Sequence, residues 1–116
     1  MADCIRIEVL VLPWSLNAGR VMRAVAQVAA ELGLRIDLEC RAVESEARAR
    51  SIGFLGAPTV LVDGVDVVEE PGGVPVLGIR RYDGAFGMPP RAAVEARLRA
   101  AAAARGMPCA TSARGG

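Results

Sequence analysis

A chain of 116 residues holds one hydrophobic core and not two, and with 53% hydrophobic residues but only two Phe, one Tyr and one Trp, that core is built from Val, Leu, Ile and Ala. The formal charge of +1 is too balanced to draw the chain to nucleic acid or to an anionic membrane, so neither is expected as a partner. All 14 basic residues are arginine; without lysine or histidine the chain lacks the central residue of a Walker motif, a Schiff base, an imidazole base and the usual zinc sites, and no metal is expected.

The first predicted element is "CIRIEVLVL", residues 4–12. Ile5, Ile7 and Val9 alternate with Arg6 and Glu8, and the run then becomes continuously apolar, as a strand does when it passes from a half-exposed end into the core. The run is too short and too charged for a signal peptide or a membrane span, so a cytoplasmic protein is expected. After the turn "LPWSLNAG", Val21, Ala24, Val25, Val28, Ala29 and Leu32 recur at helical spacing, predicting a helix over 16–32 that stops at Gly33. Leu34, Ile36, Leu38 and Cys40 then alternate with Arg35, Asp37, Glu39 and Arg41, a second strand with one polar face and Cys40 on the apolar one. Glu44 with Arg48 and Glu46 with Arg50 stand four apart, which suits a short exposed helix over 44–52 ending at Gly53.

Thr59 to Val62 and Val65 to Val68 are two largely β-branched runs separated by Asp63-Gly64, the strongest short hairpin signal. The glycine- and proline-rich connection 69–90 is long enough to be functional or mobile. Within it, Glu69 and Glu70 read as a solvated loop start, and Arg80, Arg81 and Tyr82 read as surface or as an anion-binding side of a groove. Pro90 suits the first turn of a last helix over 90–105, with Val94, Leu98, Ala101 and Ala102 as its apolar stripe. The domain is expected to cover 1–105, with 106–116 a flexible tail. The order strand–helix–strand–helix–strand–strand–helix predicts an α/β protein: two parallel crossovers and an antiparallel hairpin edge in one mixed four-stranded sheet, flanked by helices on both faces.

That element order, "IEVLVL" leading into a helix-opening turn, and "GAPTVLVDG" before a hairpin resemble the thioredoxin and glutaredoxin superfamily over roughly residues 4–104. More narrowly, "RRYDGAFGMPP" is similar to the end of small bacterial thioredoxin-like proteins whose first helix begins Cys-Pro-Asn. The resemblance implies a thioredoxin-like fold in which Ala57-Pro58 is a cis peptide facing the helix-one turn, Thr59 opens the third strand, and the Ala57 backbone pairs with an extended peptide or glutathione. Aligned on Asn17, the family's cysteine position holds Ser15, its proline position Leu16, and the resolving position of a C-x-x-C Ala18.

That departure governs the chemistry. A cysteine at a helix N-terminus is reactive because unsatisfied N–H groups and the helix dipole stabilise its thiolate. A serine hydroxyl there stays protonated, and no histidine or lysine is present to activate it. Ser15 is therefore expected to cap the helix, with Asn17 competing for that role, and is the one catalytic candidate. Trp14 is either packing or one wall of a groove. Cys4, Cys40 and Cys109 are an odd set without C-x-x-C spacing, and parallel strands would hold Cys4 and Cys40 roughly 20 Å apart, too far for a disulfide.

Three functions follow. The first is a redox-inactive binding or scaffold module whose groove at Trp14, Ser15, Asn17, Ala57, Pro58 and Thr59 takes a peptide, a protein or a small thiol. The second is a glutathione-using transferase-like enzyme with Ser15 on the sulfur, against which the chain leaves no room for the helical second domain of such enzymes. The third is an atypical thiol oxidoreductase using Cys40 or Cys109.

Overall fold

The computed structural model describes residues 4–15, 17–82, 85–86 and 88–109. Its elements run β1 (Ile5–Val11), α1 (Ala18–Glu31), β2 (Ile36–Ala42), α2 (Glu46–Ile52), β3 (Thr59–Val62), β4 (Val65–Asp66), β5 (Arg81–Tyr82), β6 (Ala85–Phe86) and α3 (Arg91–Ala104). Four strands form one sheet in the order β2-β1-β3-β4, and β5 and β6 form a separate two-stranded ladder inside the long connection.

β1 is central because it is apolar on both faces where both are covered. Ile5, Ile7, Val9 and Val11 join Val60 and Val62 on the face packed by α1 and α3, against Val21, Val25, Val28, Val94 and Leu98. Leu10 and Leu12 point the other way and meet Val43, Ala49 and Phe54 under α2. A helix of seven residues covers only about 10 Å, so the start of β1 is bare on that side, and there the strand carries Arg6 and Glu8. Those side chains meet Glu39 and Arg41 of β2 in a lattice of ion pairs at 3.3–3.9 Å.

Helices thus flank both faces as expected, but the second crossover is not parallel. β1 and β2 are parallel, with Ile5 opposite Ile36 and Val11 opposite Ala42, whereas β3 runs antiparallel to β1, with Leu10 opposite Thr59 and Ile7 opposite Val62. The cause is length. β2 of seven residues spans about 23 Å, and the short α2 cannot carry the chain back along it, so β3 starts at the end where β2 finished and descends. The hairpin is as predicted, with Asp63 (φ 49°) and Gly64 (φ 83°) both in the positive region that a tight two-residue turn requires. Its second strand stops at Asp66, although Val67 still donates to the Val60 carbonyl at 3.0 Å.

Met107 and Cys109, at the start of the segment expected to be a tail, are partly buried against the α1–α3 side of the core, and the Met107 N–H donates to the Ala102 carbonyl at 2.8 Å. Residues 110–116 lie outside the described residues, as does Leu16. Among the described residues, no helix is long and apolar enough to cross a membrane, and no cluster of three or more Cys, Asp or Glu could hold a metal ion.

Candidate functional site

Because Leu10 pairs with Thr59, the end of β1, the start of α1 and the approach to β3 share one end of the sheet. The chain leaves β1 through a tight turn in which the Ser15 N–H donates to the Leu12 carbonyl at 3.0 Å, with Pro13 at the corner that favours a fixed φ. Trp14 occupies the outer corner of that turn and is 65% exposed, so packing is not its role. Ser15 is half-buried, and its Oγ accepts the Asn17 N–H at 3.3 Å. The N-cap position belongs to Asn17, whose carbonyl accepts the Val21 N–H at 3.1 Å and whose side chain makes no capping bond. Ser15 therefore fastens the turn one step ahead of the helix instead of capping it, and Oγ has neither an imidazole nor an amine to take its proton.

Across the sheet end, the Ala57–Pro58 peptide is cis, as the resemblance implies. Ala57, Pro58 and Thr59 are all buried. Thr59 is committed inward: its hydroxyl donates to the Gly56 carbonyl at 2.7 Å and accepts from Arg80 Nη1 at 3.2 Å. The Ala57 backbone, expected to be an open edge, is already paired with the chain's own residues. Its N–H donates to the Gly78 carbonyl and its carbonyl accepts the Arg80 N–H, both at 2.8 Å, so that Ala57 and Ile79 form a parallel bridge. One step along, the Val76 N–H donates to the Phe54 carbonyl at 2.9 Å.

Arg80, read from sequence as surface, is 3% exposed and gathers the whole approach to the site. Its Nε donates to Glu70 Oε1 at 2.9 Å, Nη1 to Asp66 Oδ2 at 2.8 Å and Nη2 to the Val68 carbonyl at 2.6 Å. Burial disfavours its charge, but Asp66, Glu70 and Tyr82 more than offset this and hold the guanidinium above its ordinary pKa. The cation also lies over the Tyr82 ring, 4.7 Å from its centroid, and the Tyr82 hydroxyl donates to the Pro58 carbonyl. Burial pushes the Tyr82 phenol up to about 12, with Arg80 pulling the other way. Glu70, expected to be solvated, is thus the outer partner of a buried cation. Sequence reasoning missed this cluster because Arg80 sits beside a second arginine in a glycine-rich stretch, and nothing in that stretch marks its guanidinium as inward.

No cysteine lies in the helix-mouth turn itself. Cys40, expected to be buried, is exposed: it lies opposite Val9 on an edge strand whose last four residues are all exposed, toward the same end of the sheet as the helix mouth. Desolvation nevertheless raises its thiol pKa, which lowers the thiolate fraction at neutral pH. Cys109 follows Arg105, which is bonded to Asp63 at the hairpin, the opposite end of the sheet from Ser15. Cys4 precedes β1 and is a free thiol, as are the other two.

Comparison with protein-family models, with curated proteins and with solved structures gives no match.

Proposed function

We propose that this chain is a thioredoxin-like binding module without redox chemistry, whose groove at Trp14, Ser15 and Pro58 takes a peptide or a small thiol such as glutathione. The strand order β2-β1-β3-β4 around the first strand–helix turn supports the fold reading. The observation that carries the function is the helix mouth itself: an exposed indole beside a half-buried hydroxyl already bonded to Asn17, in a turn without cysteine and a chain without histidine or lysine. Such a mouth offers an aromatic wall and a hydrogen-bonding oxygen, which suits recognition and not turnover. A cytoplasmic setting with reduced thiols accords with the three free cysteines.

The two enzymatic readings rank lower on specific grounds. A transferase-like enzyme must activate the thiol of its substrate, and the Ser15 hydroxyl has no histidine or lysine in the chain to assist it. An oxidoreductase needs a thiolate, and the Cys40 thiol is pushed away from that state.

The test uses the single tryptophan. Emission of Trp14, titrated with reduced glutathione and with a dithiol-free extended peptide, is expected to shift saturably at or below millimolar ligand, while insulin reduction with dithiothreitol shows no turnover above blank. A flat emission with both ligands removes the binding reading, and turnover lost in Cys40→Ala or Cys109→Ala replaces it with the redox one. Ser15→Cys, made with the three native cysteines replaced by alanine, asks what the mouth does to a sulfur. Its thiol pKa is expected below the ordinary value of about 8.5.

A further inference from the structure

We propose that residues 74–79 form a displaceable strap, an internal strand that occupies the Ala57 edge in place of an extended peptide and lifts from it as one unit, with Arg80 as its fixed end. The regulatory purpose of the strap rests on the binding reading above; its mechanics do not.

The attachment of the strap is lopsided. At one end Arg80 is buried and bonded to Asp66, Glu70, Thr59 and the Val68 carbonyl. The backbone there approaches so closely that a Cβ on Gly56 would stand 2.9 Å from the Arg80 nitrogen, and Gly56 holds φ at +114°. Toward the other end the hold fades. Ile79 is 61% exposed and Val74 79% exposed, and of the strap's side chains only Leu77 joins an apolar cluster. Two backbone bonds remain, from Val76 to Phe54 and from Ala57 to Gly78. Beyond Val74 the chain runs into Gly72-Gly73, with Gly72 at φ +80°, a pair that changes direction at little steric cost. A segment with few buried apolar contacts and solvent-facing backbone bonds opens at much lower free energy than the core.

Closed, the strap satisfies the Ala57 N–H through Gly78 and the Phe54 carbonyl through Val76 and leaves an incoming strand neither to pair with. Open, it presents the Ala57 N–H and the Phe54 carbonyl at the end of the sheet that carries Trp14 and Ser15, while the Ala57 carbonyl stays with the fixed Arg80 N–H. The ligand that competes with it is an extended peptide, because another backbone supplies the acceptor and the donor that Gly78 and Val76 now supply.

Amide hydrogen exchange followed by NMR on the full chain tests the mechanics without any ligand. In the unaltered protein the Ala57 and Val76 amides are expected to exchange at one common rate, at least about tenfold faster than the paired amides of β1. Val76→Pro removes one of the two outer bonds at an exposed position and is expected to speed Ala57 exchange about tenfold without moving the β1 amides. A blocked peptide copy of residues 74–80 is expected to bind the Val76→Pro protein about tenfold more tightly than the unaltered one. An Ala57 amide that exchanges only with the β1 amides, or that ignores the Val76 change, overturns the strap; equal affinity of the peptide for both proteins overturns its role as competitor. Should the variant not fold, the exchange rates of the unaltered protein decide alone. A strap that lifts in a protein whose Trp14 emission never responds would retire the binding reading only; saturable binding with an unmoved Ala57 amide would retire the strap only.

Discussion

Arg80 and Tyr82 show how a few side chains hold a long connection in place. The guanidinium bonds to both carboxylates and a carbonyl while covering the phenol, and the phenol in turn bonds to the carbonyl of Pro58. Replacing Arg80 by Met leaves Asp66 and Glu70 without their cation. The expected loss in denaturant stability is about 3 kcal/mol, the low end for a buried pair because Glu70 is open to water and keeps part of its hydration. Arg80→Lys is expected to recover less than half of that, since a point charge on a flexible stem cannot reach both carboxylates and the Val68 carbonyl together. Tyr82 is the only tyrosine, so its ionisation is read directly from phenolate absorbance. In the folded protein that absorbance should rise with a midpoint near 12, and in denaturant near the ordinary value of about 10. The neutral phenol is the form the fold favours. Its contribution is therefore complete below pH 10 and is lost as pH rises from 10 toward 12. A folded-state midpoint near 10 would mean that the ring is open to water.

Among the elements, the hairpin ties part of its stability to acid pH. Asp63 accepts two hydrogen bonds from Arg105 at 2.8 Å and one from the Arg6 N–H at 3.1 Å, and the Arg105 bond is the main cause of its lowered pKa. A depressed carboxylate pKa stabilises the fold above the unfolded value of about 3.9 and loses that contribution as pH falls through the folded value. Asp63→Asn is expected to lower stability at neutral pH and to flatten its decline in an acid titration below about pH 5. If the two proteins lose stability in parallel there, the Arg105 contact contributes nothing. The hairpin was legible in sequence because Asp63-Gly64 is the chemistry that a two-residue turn demands, and β1, α1 and α3 were legible from their apolar spacing. The direction of β3 was not, because it depends on the length of α2 relative to β2 and not on the residues of either strand. Cys40 misled for a related reason: alternation says which face of a strand a residue shares, while burial depends on whether a helix reaches that far. At the site, the turn around Ser15 and the Pro58 segment could be located, but the occupation of the Ala57 edge could not, since it depends on a glycine-rich connection without periodicity.

At the level of the molecule, the sheet is sealed by partners drawn from far along the chain. β1 is flanked by β2 and β3, and its α1-side face is closed only when α3 lays Val94 and Leu98 against it. A chain cut after residue 75 therefore keeps all four strands of the main sheet and lacks part of their cover. It is expected to bind a hydrophobic dye and to sediment as aggregate at micromolar concentration, whereas the full chain does neither. A monomeric, dye-silent product of that cut would show that α1 alone closes the core. The central place of β1 also bears on how the protein is made. Ile5 leaves the ribosome on the order of ten seconds before Arg91 does at ordinary synthesis rates, so the central strand waits that long for its last neighbour. A nascent chain thus leaves the apolar α1-side face of β1 incompletely covered until the third helix emerges.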